Sequence, residues 1–306
     1  MSETVDILLA TYQGARFLDE QLESILAQTY PHFHIRIRDD GSHDGTFSII
    51  KKWAQAYPRQ FTLLPTTERL GIRGNFSELM QNSQAPYAMF ADQDDVWLPH
   101  KIEASLDQMK AMERSYGTHH PLAVHTDLKV VDRELNEICS SFWRYAGLNP
   151  DLIELNRLLP QNVLTGCTML MNRPLVKLAC PVPQAAAMHD WWVALTAACF
   201  GHIQYVEQPT ILYRQHGGND TGAKPYSLWY HLKNFKKSKN NISKTYQQAE
   251  LFLSRYQNKL PADKKLILER YCELSDLAYL KKNVRVMKYQ FFKQGMLRNI
   301  KMLLGV

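Results

Sequence analysis

A chain of 306 residues, 45% hydrophobic and 22% charged, can bury a core of its own, which excludes a disordered or low-complexity polymer and fits one catalytic domain with an appendage or two modest domains. No secretory leader is expected, because Met1–Asp6 has no basic side chain and the apolar run Ile7–Ala10 is too short; no stretch approaches the ~20 apolar residues of a membrane span. The net charge of +6 joins two unlike parts: residues 1–222 hold 18 Lys+Arg and 25 Asp+Glu, whereas residues 223–306 hold 18 and 5. The body is acidic and the tail is basic, and basic tails meet phosphate on lipid or nucleic acid.

In chain order, Val5–Ala10 is a compact apolar run that stops at the turn Thr11-Tyr12-Gln13-Gly14. Phe17/Leu18, Leu22 and Ile25/Leu26 then recur at helical spacing. His34–Arg38 alternates like a strand and runs into Asp39-Asp40-Gly41-Ser42. Asp44 can cap a helix with Phe47, Ile50, Trp53 and Tyr57 on one face. A short strand at Phe61–Leu64 and a helix over Asn75–Asn82 follow. Tyr87–Ala91 is a buried strand ending at Asp92-Gln93-Asp94-Asp95, and Pro99 opens a helix that runs to about Arg114. This alternation predicts a mostly parallel sheet with helices on both faces, and in such sheets ligands bind beyond the carboxyl ends of the strands.

The pattern changes near Leu122. Ala123–Val131 is a strand, 139–165 is irregular and rich in aromatics, Asp190–Phe200 is a helix, and Ile203–Val206 and Ile211–Tyr213 are short strands before the loop Gly217-Gly218-Asn219. Beyond Ala223 the chain is helical, basic and amphipathic. Cys139, Cys167, Cys180, Cys199 and Cys272 are odd in number and widely spaced, without a Cys-x-x-Cys pair, so buried thiols in a reducing compartment are expected.

The acidic run Asp92-Gln93-Asp94-Asp95 carries the strongest chemical signal. Three carboxylates within four residues repel one another unless a cation joins them, and hard oxygen ligands suit Mg2+ or Mn2+. A solvated acidic turn is the bland alternative. Asp39-Asp40-Gly41 can accept hydrogen bonds from a base N–H or a ribose hydroxyl, or can serve only as a turn that leads to a helix cap.

Taken together, Leu9-Ala10-Thr11-Tyr12, Asp39–Thr46, Asp92–Trp97, Met188-His189-Asp190-Trp191-Trp192 and Tyr213-Arg214-Gln215-His216-Gly217-Gly218-Asn219 resemble family 2 glycosyltransferases of the GT-A fold, in their bacterial rhamnosyltransferase-like branch. The resemblance covers about residues 4–222. It implies an α/β fold of the GT-A kind with a nucleotide-sugar-binding half over 1–115 and an acceptor-binding half over 116–222, to which the basic helical region over 223–306, read from its own pattern, is appended. It also implies roles. Thr11, Tyr12, Asp39, Asp40, Asn75, Asp92 and Arg214 would line the nucleotide-sugar pocket. Asp94, Asp95 and His216 would hold Mg2+ or Mn2+. Asp190 would be the catalytic base, although an Asp here can also cap a helix. Trp191 and Trp192 would border the acceptor, with adjacent helical positions pointing one of them into the core.

The implied reaction is an inverting transfer of a hexose or rhamnose from a UDP- or dTDP-sugar to a saccharide or lipid-linked saccharide, in O-antigen or capsule assembly. The expected place is the cytoplasm, on the inner face of the membrane. The basic mixtures Lys233–Lys239 and Tyr289–Val306 suit an anionic membrane surface. No nucleic-acid motif accompanies the charge. A catalytically inactive nucleotide-sugar binder is the competing reading, and it should lack the base or the metal carboxylates. A dehydrogenase or nucleotidyltransferase is disfavoured, since no Gly-x-Gly-x-x-Gly follows the first strand.

Overall fold

The computed structural model describes residues 3–217, 223 and 238–303. Gly218 and Asn219, and residues 233–237 and 304–306 of the two basic stretches, lie outside them. The first half alternates as its sequence pattern requires: β1 (Val5–Thr11), α1 (Leu18–Leu26), β2 (Phe33–Asp39), α2 (Thr46–Ala56), β3 (Phe61–Leu63), α3 (Gly71–Asn82) and β4 (Tyr87–Ala91). The short β5 (Val96–Trp97) precedes α4 (Lys101–Tyr116). The second half runs through β6 (Leu122–Val131), β7 (Glu137–Cys139), α5 (Phe142–Ala146), α6 (Leu155–Leu158), β8 (Leu170–Asn172), α7 (Arg173–Ala179), α8 (His189–Phe200) and β9 (His202–Arg214). Among the described residues four further α-helices follow: α9 (Ser238–Tyr256), α10 (Ala262–Cys272), α11 (Tyr279–Tyr289) and α12 (Met296–Leu303).

The strands form one sheet in the order β3-β2-β1-β4-β8-β6-β9-β5, with β7 on β6. β1, β2, β3 and β4 pair in parallel, and so do β6 and β9. β8 is antiparallel to both β4 and β6, so it reverses direction once and restores it. The carboxyl ends of β1, β2, β4, β6 and β9 therefore face the same edge.

Several boundaries differ from the sequence pattern. α3 begins four residues early, at Gly71, because Gly71 and Gly74 carry no helical signal of their own. The stretch read as irregular contains the short helices α5 and α6. The two short strands expected after residue 202 are one strand, β9. Its pairing with β6 slips between Thr126/Val206 and Asp127/Pro209, where Pro209 cannot donate to the ladder.

The core lies on both faces of the sheet. α8 is apolar on nearly every side, and Trp192, Val193, Ala194, Leu195 and Ala197 are all fully buried. The C-terminal helices help to bury it. Phe252 and Tyr256 of α9 pack on Trp192 with ring centroids 5.0 and 5.9 Å away. The basic region therefore shares a core with the body. All five cysteines are free. Among the described residues no helix is long and apolar enough to cross a membrane.

Candidate active site

β1 and β2 end side by side, with Thr11 registered against Asp39. Asp39 is almost fully consumed by its own turn. Its Oδ1 accepts from Thr11 Oγ1 at 2.9 Å and Ser42 Oγ at 2.6 Å, and its Oδ2 accepts from the N–H groups of Gly41 at 3.1 Å and Ser42 at 2.8 Å. Gly41 makes this tight turn with φ +85°, a region that disfavours other residues. Asp40 accepts from Arg38 Nη1 at 2.8 Å and from the N–H groups of Leu70 at 2.7 Å and Gly71 at 2.8 Å at the start of α3. Asn75 is turned toward the same arginine: its Nδ2 donates to the Arg38 carbonyl at 3.1 Å, and its Oδ1 accepts from Arg38 Nη1 at 3.3 Å. Tyr12 presents its ring to Arg69, whose guanidinium carbon lies 4.0 Å from the ring centroid.

The acidic run leaves β4 and turns directly into β5. Because β5 pairs with β9, the end of β9 is drawn against these acids. The N–H of Arg214 donates to Asp95 Oδ1 at 3.2 Å, and its Nε donates to the Asp94 carbonyl at 2.9 Å. The Arg214 guanidinium also bonds the Arg133 carbonyl at 2.6 Å and pairs with Glu20, and it is 3% exposed, so it clamps three segments together. His216 Nε2 and Asp94 Oδ2 are 2.8 Å apart. Phe17 lies under both residues, its ring centroid 4.8 Å from that of His216 and 4.7 Å from the Arg214 guanidinium carbon.

Asp95 is fully buried, and its Oδ2 has no hydrogen-bond partner among the described residues. Burial, followed by the neighbouring carboxylates of Asp94 and Asp92, pushes its pKa well above the usual range. Lys101 is buried nearby, with Nζ 4.6 Å from the Trp97 ring centroid, and burial pushes it down to about 8.

Asp190 stands in the first turn of α8. Its Oδ1 accepts from the N–H of Trp191 at 2.6 Å and its Oδ2 from the N–H of Gly166 at 3.1 Å. Burial raises its pKa to about 6. The next residue, Cys167, puts its Sγ together with carboxylate oxygens of Asp92 and Asp95, all within 4.8 Å of one another. Gly166 and Cys167, consecutive in a 3-10 turn at Gly166–Thr168, thus touch the acid of α8 on one side and the acids after β4 on the other.

Trp191 donates from Nε1 to the Leu158 carbonyl at 2.7 Å and is partly buried. Of the pair expected near the acceptor, Trp192 is the one that turns into the core: it is 0% exposed, donates to the Ala179 carbonyl at 3.1 Å and packs there. The helical offset between adjacent residues sends it to the opposite side of α8.

A sequence model of glycosyl transferase family 2 matches residues 6–176, more than half of the chain. The chain belongs to glycosyl transferase family 2. Among its relatives is the dTDP-rhamnosyl transferase RfbG of Shigella flexneri, 28% identical over 230 residues that make up 70% of this chain and 74% of that one. Among solved structures, the mannosyltransferase PcManGT of Pyrobaculum calidifontis, in complex with GDP-Man and Mn2+, superimposes with a TM-score of 0.54 at 18% identity over 94% of this chain and 72% of that one. TarS of S. aureus, in complex with UDP-GlcNAc, gives a TM-score of 0.54 at 16% identity over 99% and 89%. These two likenesses establish the GT-A fold for this glycosyltransferase.

The acids fit a hard divalent cation. Asp95, whose Oδ2 has no hydrogen-bond partner among the described residues, brings a carboxylate oxygen into a group with Asp92, and Asp94 is paired with the imidazole of His216. Three carboxylates and one imidazole are ligands that Mg2+ or Mn2+ accept. The Cys167 thiol is pushed well up by burial and by Asp95 and Asp92, so it stays protonated and is a poor partner for such ions.

Several working residues of this glycosyltransferase carry no motif signal. Gln93, the residue between the acids, grips the Tyr12 backbone from both sides: its Oε1 accepts from the Tyr12 N–H at 2.8 Å and its Nε2 donates to the Tyr12 carbonyl at 2.9 Å. A Cβ on Gly14 would stand 2.1 Å from Gln93 Oε1, so glycine there keeps the grip open. Phe17, Glu20 and Cys167 also carry no site signal in the sequence, and only their contacts across the fold reveal them; Gly166 reads in sequence only as a loop residue bordering the acceptor, and its bond to Asp190 places it.

Proposed function

We propose that this glycosyltransferase moves a sugar from a nucleoside diphosphate donor to a saccharide hydroxyl, with Asp190 as the base and inversion at the anomeric carbon. The Gly166–Cys167 bridge carries this reading, because it ties Asp190 to the acids after β4 through two consecutive residues. One segment therefore holds a proton acceptor beside a cluster that suits a diphosphate and its cation.

Asp190 is prepared for the task. A carboxylate raised to about 6 is ionised at neutral pH and is a stronger base than an ordinary aspartate. Two backbone N–H groups fix its oxygens without protonating them. It would take the proton of the acceptor hydroxyl as that oxygen attacks the anomeric carbon and the diphosphate departs. No second carboxylate is assigned as a nucleophile, so a single displacement follows. Asp94, Asp92, Asp95 and His216 would hold Mg2+ or Mn2+, which when bound offsets the charge that grows on the leaving diphosphate. Arg214 orients Asp94 and Asp95 through its Nε and its main-chain N–H.

Thr11, Tyr12, Asp39, Asp40 and Asn75 form the edge on which the nucleotide would lie. Their carboxylates shape that edge through backbone turns, and the Tyr12 ring and Arg69 offer the more accessible contact for a base. Trp191 would border the acceptor. The likeness to a dTDP-rhamnosyl transferase and, over 36% of the chain, to a putative teichuronic acid biosynthesis glycosyltransferase TuaG of Bacillus subtilis supports polysaccharide assembly. A panel of UDP-, dTDP- and GDP-sugars, with Mg2+ or Mn2+ and scored by release of the nucleoside diphosphate, tests the reading. Turnover should appear with one donor class and cease in EDTA. An Asp190→Asn protein that folds, binds the donor and transfers at the full rate would overturn the base assignment.

A further inference from the structure

Among the described residues, six of the eleven large hydrophobic side chains exposed at the surface fall on α11 and α12: Tyr279, Leu280, Val284, Met287, Met296 and Ile300. The other five, Phe47, Tyr57, Tyr116, Ile138 and Leu266, are spread over the rest of the chain. Leu280 is 77% exposed, Val284 66% and Met287 58%. These three stand at i, i+4 and i+7, so they form one stripe along α11. Lys281, Arg285 and Lys288 repeat the same spacing one residue later, about 100° around the helix, and form a basic stripe beside it.

The two stripes meet in a groove of about 570 Å³, whose walls include Leu277, Leu280 and Val284 with Arg270, Lys281 and Lys288. Glu273 pairs with Arg270 and Arg285, which leaves the groove net positive. Oily side chains directly flanked by cations suit the boundary between acyl chains and anionic headgroups. A second copy of this chain is a poorer match, since it would bring one basic stripe against another.

We propose that α11 and α12 dock this protein on an anionic lipid bilayer, with Leu280, Val284, Met287, Met296 and Ile300 entering the headgroup region and Lys281 and Lys288 meeting lipid phosphate. The mount of these helices gives the docking a direction. The Tyr289 carbonyl accepts from Asn156 Nδ2 at 3.0 Å, and the N–H of Gln294 donates to Gln161 Oε1 at 2.8 Å. Trp191, next to Asp190, is anchored on Leu158 of the same segment. The lipid-facing helices and the proposed base thus share residues 156–161 as a support. That docking delivers a lipid-borne acceptor to Asp190 rests on the transfer reaction proposed above, whereas docking itself does not.

Flotation of the full chain with phosphatidylglycerol-containing vesicles, and with phosphatidylcholine vesicles, tests docking apart from catalysis. The protein should float with the first, weaken as salt rises, and fail to float with the second. Lys281→Gln with Lys288→Gln should weaken binding about 30-fold. Leu280→Ser with Val284→Ser and Met287→Ser should weaken it at least tenfold, with thermal unfolding and release of diphosphate from a soluble acceptor reaction unchanged. Equal flotation on both vesicles, full binding by either variant, or concentration-dependent self-association abolished by the serine variant without any flotation would overturn the proposal. Loss of transfer by Asp190→Asn alongside intact flotation would leave the two proposals separately judged.

Discussion

Asp39 and Asp40, at the end of β2, and Asp95 and Asp190, on either side of the Gly166–Cys167 bridge, are the same side chain in opposite surroundings. Asp39 accepts four hydrogen bonds and Asp40 three, one of them from a buried guanidinium. Among the described residues Asp95 has one oxygen with no hydrogen-bond partner, and the Asp190 carboxylate accepts from two main-chain N–H groups. Satisfied acids build turns and stabilise the fold. Acids kept short of partners are costly to charge, and they gain from a ligand that supplies a cation or a proton. An Asp→Asn exchange should therefore change sign between the two regions.

The largest effect is expected at Asp190. Asp190→Asn removes the proposed base and should lower the transfer rate about 10²–10⁴-fold. The same change should raise stability. Asp190 titrates near 6 in the folded protein and at about 3.8 as a model side chain, so the folded state binds its proton more tightly. Its contribution to stability is therefore full below the lower value and is lost as pH rises through about 6. At pH 7 the ionised side chain costs up to about 3 kcal/mol, and asparagine recovers part of that. Urea unfolding should show Asp190→Asn more stable than the parent at neutral pH, with the gap closed near pH 4. In the parent, kcat/KM should fall tenfold per pH unit below about 6. A parent rate that is flat down to pH 5 would break the comparison on this side.

Asp40→Asn should act in the other direction. Arg38 is 1% exposed and its charge is matched by Asp40 at 2.8 Å. Removing that partner leaves a buried guanidinium uncompensated and should cost about 3–5 kcal/mol, read as an earlier urea midpoint. Were Asp40→Asn as stable as the parent, the acids of β2 would not be structural, and their place on the nucleotide edge would have to rest on direct donor contact.

Much of the first region was legible in the sequence, because β1, β2 and β4 are long enough to show their apolar runs and each ends in its polar motif. Asp92–Asp95 announced itself by its crowded carboxylates, whereas Asp190 stood out only through the resemblance of Met188–Trp192 to the family. The second region was less legible for a physical reason. β8 has three residues, too few to display a period, yet it sits between β4 and β6 and sets where the 3-10 turn lies. Gly166 and Cys167 are ordinary residues locally and become important only through contacts made far along the chain. Trp191 and Trp192 were indistinguishable by type, and their separation into a partly buried ring and a core ring depends on how α8 lies on α6 and α9.

Gly166→Ala tests the bridge with a smaller perturbation. A Cβ there would stand 3.2 Å from His189 Nε2, 3.3 Å from Asp190 Cβ and 3.5 Å from Asp190 Oδ2. His189 cannot give way easily, because its ring is stacked on Phe76 at 3.9 Å and lies edge to face with Phe90 at 4.8 Å. Asp190 is the softer neighbour, so the added methyl should push it out of line and stretch its bond to the Gly166 N–H. A displacement approaching an ångström at a reacting group costs about 10²-fold in rate. The loss should appear in kcat, with the KM for the donor close to that of the parent, because the acids after β4 meet Cys167 and not the new methyl. A variant with an unchanged kcat would show that the position of Asp190 does not depend on the glycine; one with a raised donor KM and an intact kcat would place the turn on the nucleotide side of the site.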